Sequence, residues 1–371
     1  MSGAPDIVVA GAGPWGLGAA WLAARDGARV AVLDDGRAPA GRVAAGMLGA
    51  RSEAAEDERD MFELARRALE AWETFAPDLA AASGRDPGLR PTGAIVVAAR
   101  PEHIGAVRRR AAVLAAWDAP APWRTGSELR ALEPGLGPAV AGGLALDEEH
   151  QVEPRAMLAA LRQAATAAGV RVVPAAAAAI LRDGSGRAAG LVDADGVEHR
   201  AGATVLAAGH GAARLAGAPW IRPVKGQILR LVAAPGAPVP VARTIRAPGV
   251  YLAPRDGEVV VGATSEERSD RHATAGAVHD LLEEALRVVP ELREMALAEV
   301  AVGLRPAAPD GRPLVGRDGD GVIWAAGGYR HGIALLPLAA AAVAELASGR
   351  PAPAWAEALS PARLLARGAT R

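Results

Sequence analysis

Apolar residues along the chain fall into two patterns, short unbroken runs and stretches with helical spacing. The run from Asp6 to Ala10 ends in glycines, as a parallel strand buried on both faces does. Leu17, Ala20, Trp21 and Ala24 then recur at helical spacing, with Pro14 in the first turn and Gly27 past the last, and Arg29 to Leu33 is a second apolar run. The spacing predicts a β-α-β unit that ends at Asp34. Farther on, "ERDMFELARRALEAWETFAPDLAAASG" predicts an amphipathic helix, "TGAIVVAA" a strand, "PEHIGAVRRRAAVLAAW" a helix and "SELRALEPGL" a short helix with a turn. "EPRAMLAALRQAATAAG" and "VRVV" give another helix and strand, followed by a meander turning at Asp183-Gly184 and Asp195-Gly196. "ATVLAAGHG" is a strand suited to return beside the first β-α-β unit. The runs "GQILRLV", "GVYLAP" and "EVVVGAT", with the helix "AVHDLLEEALRVV", predict an antiparallel sheet over 219–304. "GVIWAAGGYRHGIALLPLAAAAVAELASG" then reads as strand, glycine turn and buried helix.

The first β-α-β unit carries "GAGPWG", a G-x-G-x-x-G in the context that gives the motif meaning. Gly11 allows the tight turn, Gly13 lets the backbone approach a pyrophosphate, and Gly16 lets helix and strand pack closely. The helix N-terminus, at Pro14 and Trp15, offers N–H groups and a positive dipole end to the same anion. Asp34, 18 residues beyond Gly16, is placed to accept from ribose hydroxyls, with Asp35 beside it, and an acid there disfavours a 2′-phosphate.

Composition narrows the partner. The 371 residues hold 41 basic and 42 acidic side chains with no long run of one sign, which excludes the footprint of a nucleic-acid or membrane-surface binder. A small molecule is expected, and a homo-oligomer is left open. Cysteine is absent, so disulfides, thiolate metal sites and a cofactor link through sulfur are excluded, and no metal is expected. The apolar stretch from Gly332 to Ala344 is too short to span a bilayer, and the N-terminus lacks a basic leader; a cytoplasmic protein is expected.

The dinucleotide module is interrupted early by a helical segment, resumes near residue 150, gives way to the antiparallel sheet and resumes at the C-terminus. "VAAGMLGARSEAAEDERDMFELA", "RPVKGQ", "VYLAPRDGEVVVGAT", "GLRPAAPDGRPLVG" and "AAGGYRHGIALLP", in that order, resemble the glycine oxidase branch of the D-amino acid oxidase flavoproteins, the branch associated with thiamine biosynthesis. The resemblance implies an α/β fold: a Rossmann-type FAD-binding domain (1–50, 141–218 and 305–371) interleaved with a substrate domain (51–140 and 219–304) built on an antiparallel sheet with helices. It also implies non-covalent FAD, an amino acid substrate, oxygen as the second substrate, and oxidation of the amine with release of hydrogen peroxide. A larger D-amino acid, an N-alkyl amino acid, a dehydrogenase on the same fold and a flavin-binding subunit needing a partner stay open.

By the same resemblance the flavin is held by Gly11, Gly13, Pro14, Trp15, Gly16, Asp34, Asp35, Arg42, Ala44, Ala45, Gly46, Met47, Ala208, Gly209 and the turn Gly328, Tyr329, Arg330, His331, Gly332 and Ile333. Family members commonly carry a Ser/Thr-rich turn before "AAGM". Here it is "GRVAAGM", so backbone amides of Ala44 to Gly46, with Arg42, are expected to meet the pyrophosphate. Asp34 replaces a more frequent glutamate, and Gly249 stands where some relatives carry a bulkier residue. Tyr251 and Arg305 are expected to hold the substrate carboxylate, the arginine through its planar fork. Arg330 is expected at the flavin edge or pocket wall. Lys225 is either a charge near the reaction site or a surface-turn residue, and His210 and His331 are not taken as bases.

Overall fold

Ile7–Ala10 is apolar at every position and buried on both faces, so it needs strands on either side and helices above and below. In the computed structural model of the chain, residues 4–217 and 221–364 are described. Among them, six strands form one sheet in the order Leu314–Arg317, Val322–Ala326, Ala203–Leu206, Ile7–Ala10, Val30–Leu33 and Arg171–Val173. All neighbours are parallel except Leu314–Arg317, which runs antiparallel to Val322–Ala326. The strand expected to return beside the first does so, with Ile7 opposite Ala203.

Eight strands form a second sheet, again among the described residues. Its order is Ala296–Ala307, Arg222–Val232, Glu258–Gly262, Val250–Arg255, Thr244–Ala247, Ala94–Ala98, Gly142–Leu146 and Trp123–Thr125. Its pairs are antiparallel apart from Thr244–Ala247 with Ala94–Ala98. Helix Ala275–Val288 buries Leu281, Ala285 and Val288 against Leu229, Leu252 and Val261 of this sheet. The fold is thus the expected α/β class, a parallel dinucleotide-type sheet interleaved in sequence with a second, mainly antiparallel one. Strand pairing puts Gly142–Leu146 and Ala296–Ala307 in the second sheet, beside and across the expected domain edges at 141 and 305. The expected edge at 218/219 and the segment 365–371 lie outside the described residues. Among the described residues no helix is long and apolar enough to cross a membrane.

Helices Pro14–Arg25, Pro154–Ala167, Leu336–Ala347 and Arg59–Ser83 pack together over the first sheet. Two indole N–H groups pin the turn before Leu336–Ala347: Trp15 Nε1 donates to the Gly332 carbonyl at 2.7 Å, and Trp72 Nε1 to the Ala334 carbonyl at 2.9 Å. Pro77 interrupts Arg59–Ser83, but Pro77 and Glu73 are exposed, so the carbonyl deprived of its N–H partner faces water. Trp72→Phe keeps most of the apolar contact but leaves a buried carbonyl unpaired. It should lower stability by about 1–3 kcal/mol, read as a fall in the thermal or urea midpoint.

Candidate functional site

A cavity of about 1160 Å³ opens where the C-terminal ends of the parallel strands meet the second sheet. Ala10, Leu33 and Ala207 come from the first side, and Ile228, Tyr251 and Leu304 from the other. It exceeds the roughly 300–1,000 Å³ of ordinary small-molecule pockets, as an elongated ligand such as a dinucleotide requires.

The glycine loop shows why each of its glycines is there. Gly11 has φ of 101°, and a Cβ on it would come 2.7 Å from the Ala207 carbonyl oxygen. A Cβ on Gly16 would lie 2.0 Å from the Gly11 oxygen, so Gly16 serves packing and does not line the cavity. Gly13 differs: its φ of −73° suits any residue, and a Cβ would meet nothing nearer than Pro39 at 3.9 Å. Neither conformation nor packing asks for glycine at 13. The close approach of a ligand does. Helix Pro14–Arg25 has no side-chain cap, which leaves its first-turn N–H groups for that ligand. Asp34 lines the cavity while its carboxylate accepts from Ala12 N at 2.9 Å and Gly36 N at 2.6 Å, fixing the loop and retaining lone pairs for hydroxyl donors. These features fit FAD. Gly11, Gly13, Pro14, Trp15 and Asp34 would hold its nucleotide half.

Of the other expected residues, Asp35, Ala44, Ala45, Gly46, Met47, Ala208, Gly209, Gly328, Tyr329, Arg330, Gly332 and Ile333 also line the cavity, and so does His210. Gly46, with φ of 74°, turns the chain so tightly that a Cβ would fall 1.9 Å from the Val152 oxygen. Tyr329 is held at φ of 41°, a left-handed conformation uncommon for a side chain of its size, with its N–H on the Pro306 carbonyl at 2.9 Å. Arg42 and His331 lie off the wall. The short 3₁₀ turn Ala40–Val43 sends the Arg42 side chain to solvent, while its carbonyl accepts from Arg155 Nε at 3.4 Å. Arg37 and Arg271 line the cavity in its stead as exposed cations.

On the side of the second sheet, Tyr251 and Arg305 face one space with three residues that sequence reasoning did not single out: Glu53, Arg246 and Thr264. Arg246 is the cross-strand partner of Tyr251, so both project from the same face. The Pro248-Gly249 turn between them was the available signal. Glu53 and Arg246 form a partly buried ion pair, and Arg330 pairs with Glu58 and approaches Glu53 at 3.9 Å. Arg305 is bonded differently. Its Nη1 donates to the Thr264 carbonyl at 3.0 Å, its guanidinium lies so close over Gly226 that a Cβ there would sit 2.5 Å from it, and among the described residues no carboxylate pairs with it.

Burial pushes the Tyr251 phenol above its usual range, against the pull of Arg305 and Arg246, so the hydroxyl stays a donor. Burial also works against ionised Glu53, but Arg246, His331 and Arg330 outweigh it and hold the carboxyl down at about 2. His331 is pushed down to about 4, by burial first, with Arg330 and Arg246 adding to it and Glu53 opposing. Its Nε2 accepts from Arg330 Nε at 3.2 Å, as a neutral ring does.

The family described as DAO, FAD dependent oxidoreductase, matches residues 6–346. The glycine oxidase of Geobacillus kaustophilus is 32% identical over 355 residues, 92% of this chain and 92% of that protein. The bifunctional protein ThiO/ThiG of a Nostoc species is 32% identical over 346 residues, 92% of this chain but 52% of that protein; this chain spans about half of such bifunctional relatives. The crystal structure of glycine oxidase from Geobacillus kaustophilus superposes with a TM-score of 0.86 at 31% identity, covering 94% of this chain and 95% of that one.

The depressed His331 makes stability depend on pH in a defined window. The unfolded ring takes up its proton below about 6.5 and the folded ring only near 4, so stability falls as pH drops between these values, by up to about 3 kcal/mol. Glu53 acts lower, its contribution being lost from about 4.5 towards 2. Urea unfolding across pH should show both phases; His331→Asn should flatten the upper one and shrink the lower, because Glu53 loses one of the charges that hold it down.

Proposed function

The chain belongs to the DAO family of FAD-dependent oxidoreductases, and on that premise we propose that it is an amino acid oxidase like glycine oxidase. Its substrate would be glycine or another small amino acid amine. The carbon–nitrogen bond is oxidised to an imine, water releases an oxo acid and ammonia or an amine, and oxygen is reduced to hydrogen peroxide. Bound FAD supplies the two-electron acceptor. The setting we propose is the thiamine-biosynthesis branch; a Rhizobium etli relative, 30% identical over 354 residues, is described as "Putative thiamine biosynthesis oxidoreductase ThiO".

One observation carries the reading. Among the described residues Arg305 faces the cavity as a guanidinium tied to a carbonyl and not to a carboxylate, with most of its five N–H donors left over. A substrate carboxylate matches that fork bidentately. The Tyr251 hydroxyl, kept protonated by burial and lining the same cavity, would donate to the same group. Together they would fix the α-carbon, and fixing is most of what this chemistry asks of the protein. Arg246 and Arg330, already neutralised by Glu53 and Glu58, form the wall and do not compete for the carboxylate.

A second reading rests on Gly249. Its φ of 88° suits glycine, and a Cβ there would meet nothing within 4 Å, so this exposed turn leaves the cavity edge open. That space favours an N-alkyl or larger amino acid over glycine itself.

The chain purified alone should be yellow and release intact FAD on acid treatment. Glycine, sarcosine and small D-amino acids should bleach it anaerobically and yield peroxide in air; bleaching followed by slow reoxidation in air would identify a dehydrogenase instead. Arg305→Ala should keep its flavin yet need roughly 30-fold to several thousand-fold more substrate for half-maximal reduction. Arg305→Lys should recover part of the binding and less of the rate, because it lacks the fork. Unchanged half-saturation in Arg305→Ala would remove this arginine from substrate recognition.

A further inference from the structure

Among 41 lysine and arginine residues, 225 is the one position occupied by lysine, and its side chain is fully buried. It is neither at the cavity wall nor on a surface turn. A buried ammonium requires partners. Lys225 has two, Asp270 Oδ1 at 2.8 Å and Glu266 Oε2 at 3.9 Å. Both lie on the segment 263–274, which lines the cavity through Ala263, Thr264, Ser265, Ser269 and Arg271.

We infer that Lys225 is a positioning residue for substrate recognition: its ammonium fixes the segment 263–274, whose Thr264 carbonyl aims the guanidinium of Arg305. The inference rests on the reading of Arg305 as the carboxylate anchor.

The attachment is built residue by residue. The Lys225 backbone exchanges hydrogen bonds with that of Glu266, 2.8 Å for Lys225 N to Glu266 O and 2.9 Å for the reverse. Glu266 Oε1 accepts from Thr264 Oγ1 and Gln227 Nε2, both at 2.7 Å. Gln227 N donates to Thr264 Oγ1 at 3.0 Å, and Thr264 O accepts from Arg305. The tip of the segment is organised by Asp270, which accepts from Arg268 Nε at 2.8 Å and His272 N at 3.1 Å. Its link to the sheet is the ammonium of Lys225. Arg305 and Lys225 also sit on neighbouring strands, Val224 opposite Arg305 and Lys225 opposite Leu304, with Gly226 under the guanidinium. One strand thus supplies the floor of the anchor, and its lysine holds the carbonyl that orients it. A compact ammonium fits between two carboxylates from different positions where a planar fork does not.

The variant is Lys225→Met, which fills the space without the charge. Asp270 and Glu266 are each about a quarter exposed and can turn to water, so the loss falls on the segment more than on the core. The holoenzyme should keep its FAD. Acetate, a carboxylate that cannot be oxidised, should bind roughly tenfold more weakly, read from the perturbed flavin absorbance, as expected when a hydrogen bond to a charged group is misaligned. The half-saturating concentration of a carboxylate-bearing substrate should rise alike, while flavin reduction by propylamine, which has no carboxylate, should not change. In an Arg305→Lys background Lys225→Met should cost little more, because two residues acting through one contact are not additive. If Lys225→Met does not fold, Asp270→Asn, which frees the tip and leaves Glu266 to Lys225, should give the same pattern. Unchanged acetate affinity in the folded variant, equal losses for propylamine, or full additivity with Arg305→Lys would overturn the inference. Arg305→Ala separates the two ideas: if it loses acetate and the Lys225 or Asp270 variants do not, the inference alone falls; if it binds acetate normally, the anchor reading falls and takes the inference with it.

Discussion

The cavity exists because two sheets are locked together around a buried arginine. Arg255, on the second sheet, donates to Glu153 Oε2 at 2.6 Å and the Val152 carbonyl at 3.2 Å, and it also holds Gln151 and the Ala45 carbonyl. Glu153 caps helix Pro154–Ala167, which packs on the first sheet's helices, and Ala45 belongs to the loop that lines the cavity. Desolvating a guanidinium costs several kcal/mol unless its donors are satisfied, and here carbonyls and a carboxylate from the opposite side satisfy them. Without the opposite side, the guanidinium would keep the Pro254 carbonyl of its own strand and lose the other acceptors. The relative placement of the sheets is thereby fixed, and with it the distance between the glycine loop on one wall and Tyr251 and Arg305 on the other.

Given that frame, the two walls follow different rules. The nucleotide wall uses backbone: glycines remove side chains, and a helix start supplies N–H groups, so its chemistry is local. The opposite wall uses side chains that meet only through strand pairing. Arg246 reaches Tyr251 across a two-residue turn, whereas Glu53 arrives from a segment nearly two hundred residues earlier to neutralise it.

That difference decides what could be read without the structure. Gly11, Gly13 and Gly16, the strands around them and the return of Ala203–Leu206 were legible because apolar runs and glycine spacing encode them within a few residues. The strand Ala296–Ala307 was not, since Ala, Glu and Gly weaken its β signature and pairing with Arg222–Val232 makes it a strand. Glu53 was invisible as a site residue because its role depends on Arg246, Arg330 and His331 converging on it. Lys225 was left between a reaction-site charge and a surface turn; its partners lie 41 and 45 residues away, and both options missed a buried ion pair.

The same accounting explains how a wall with several arginines can select one carboxylate. An uncompensated guanidinium in a partly closed space attracts any anion, and three of them would bind it in competing poses. Arg246 and Arg330 are each given a carboxylate of their own, so their fields largely cancel at short range. Among the described residues Arg305 receives only the Thr264 carbonyl, whose dipole orients the fork without neutralising it. Keeping such a charge is tolerable because Arg305 is incompletely buried and its free donors face the cavity, where water satisfies them until a ligand enters. A carboxylate that displaces this water gains a charge-assisted pair at a single place, with the Tyr251 hydroxyl on the same side. With Arg305 as the anchor we propose, the orientation of the bound amine would be set by which arginine, among the described residues, was left without a carboxylate.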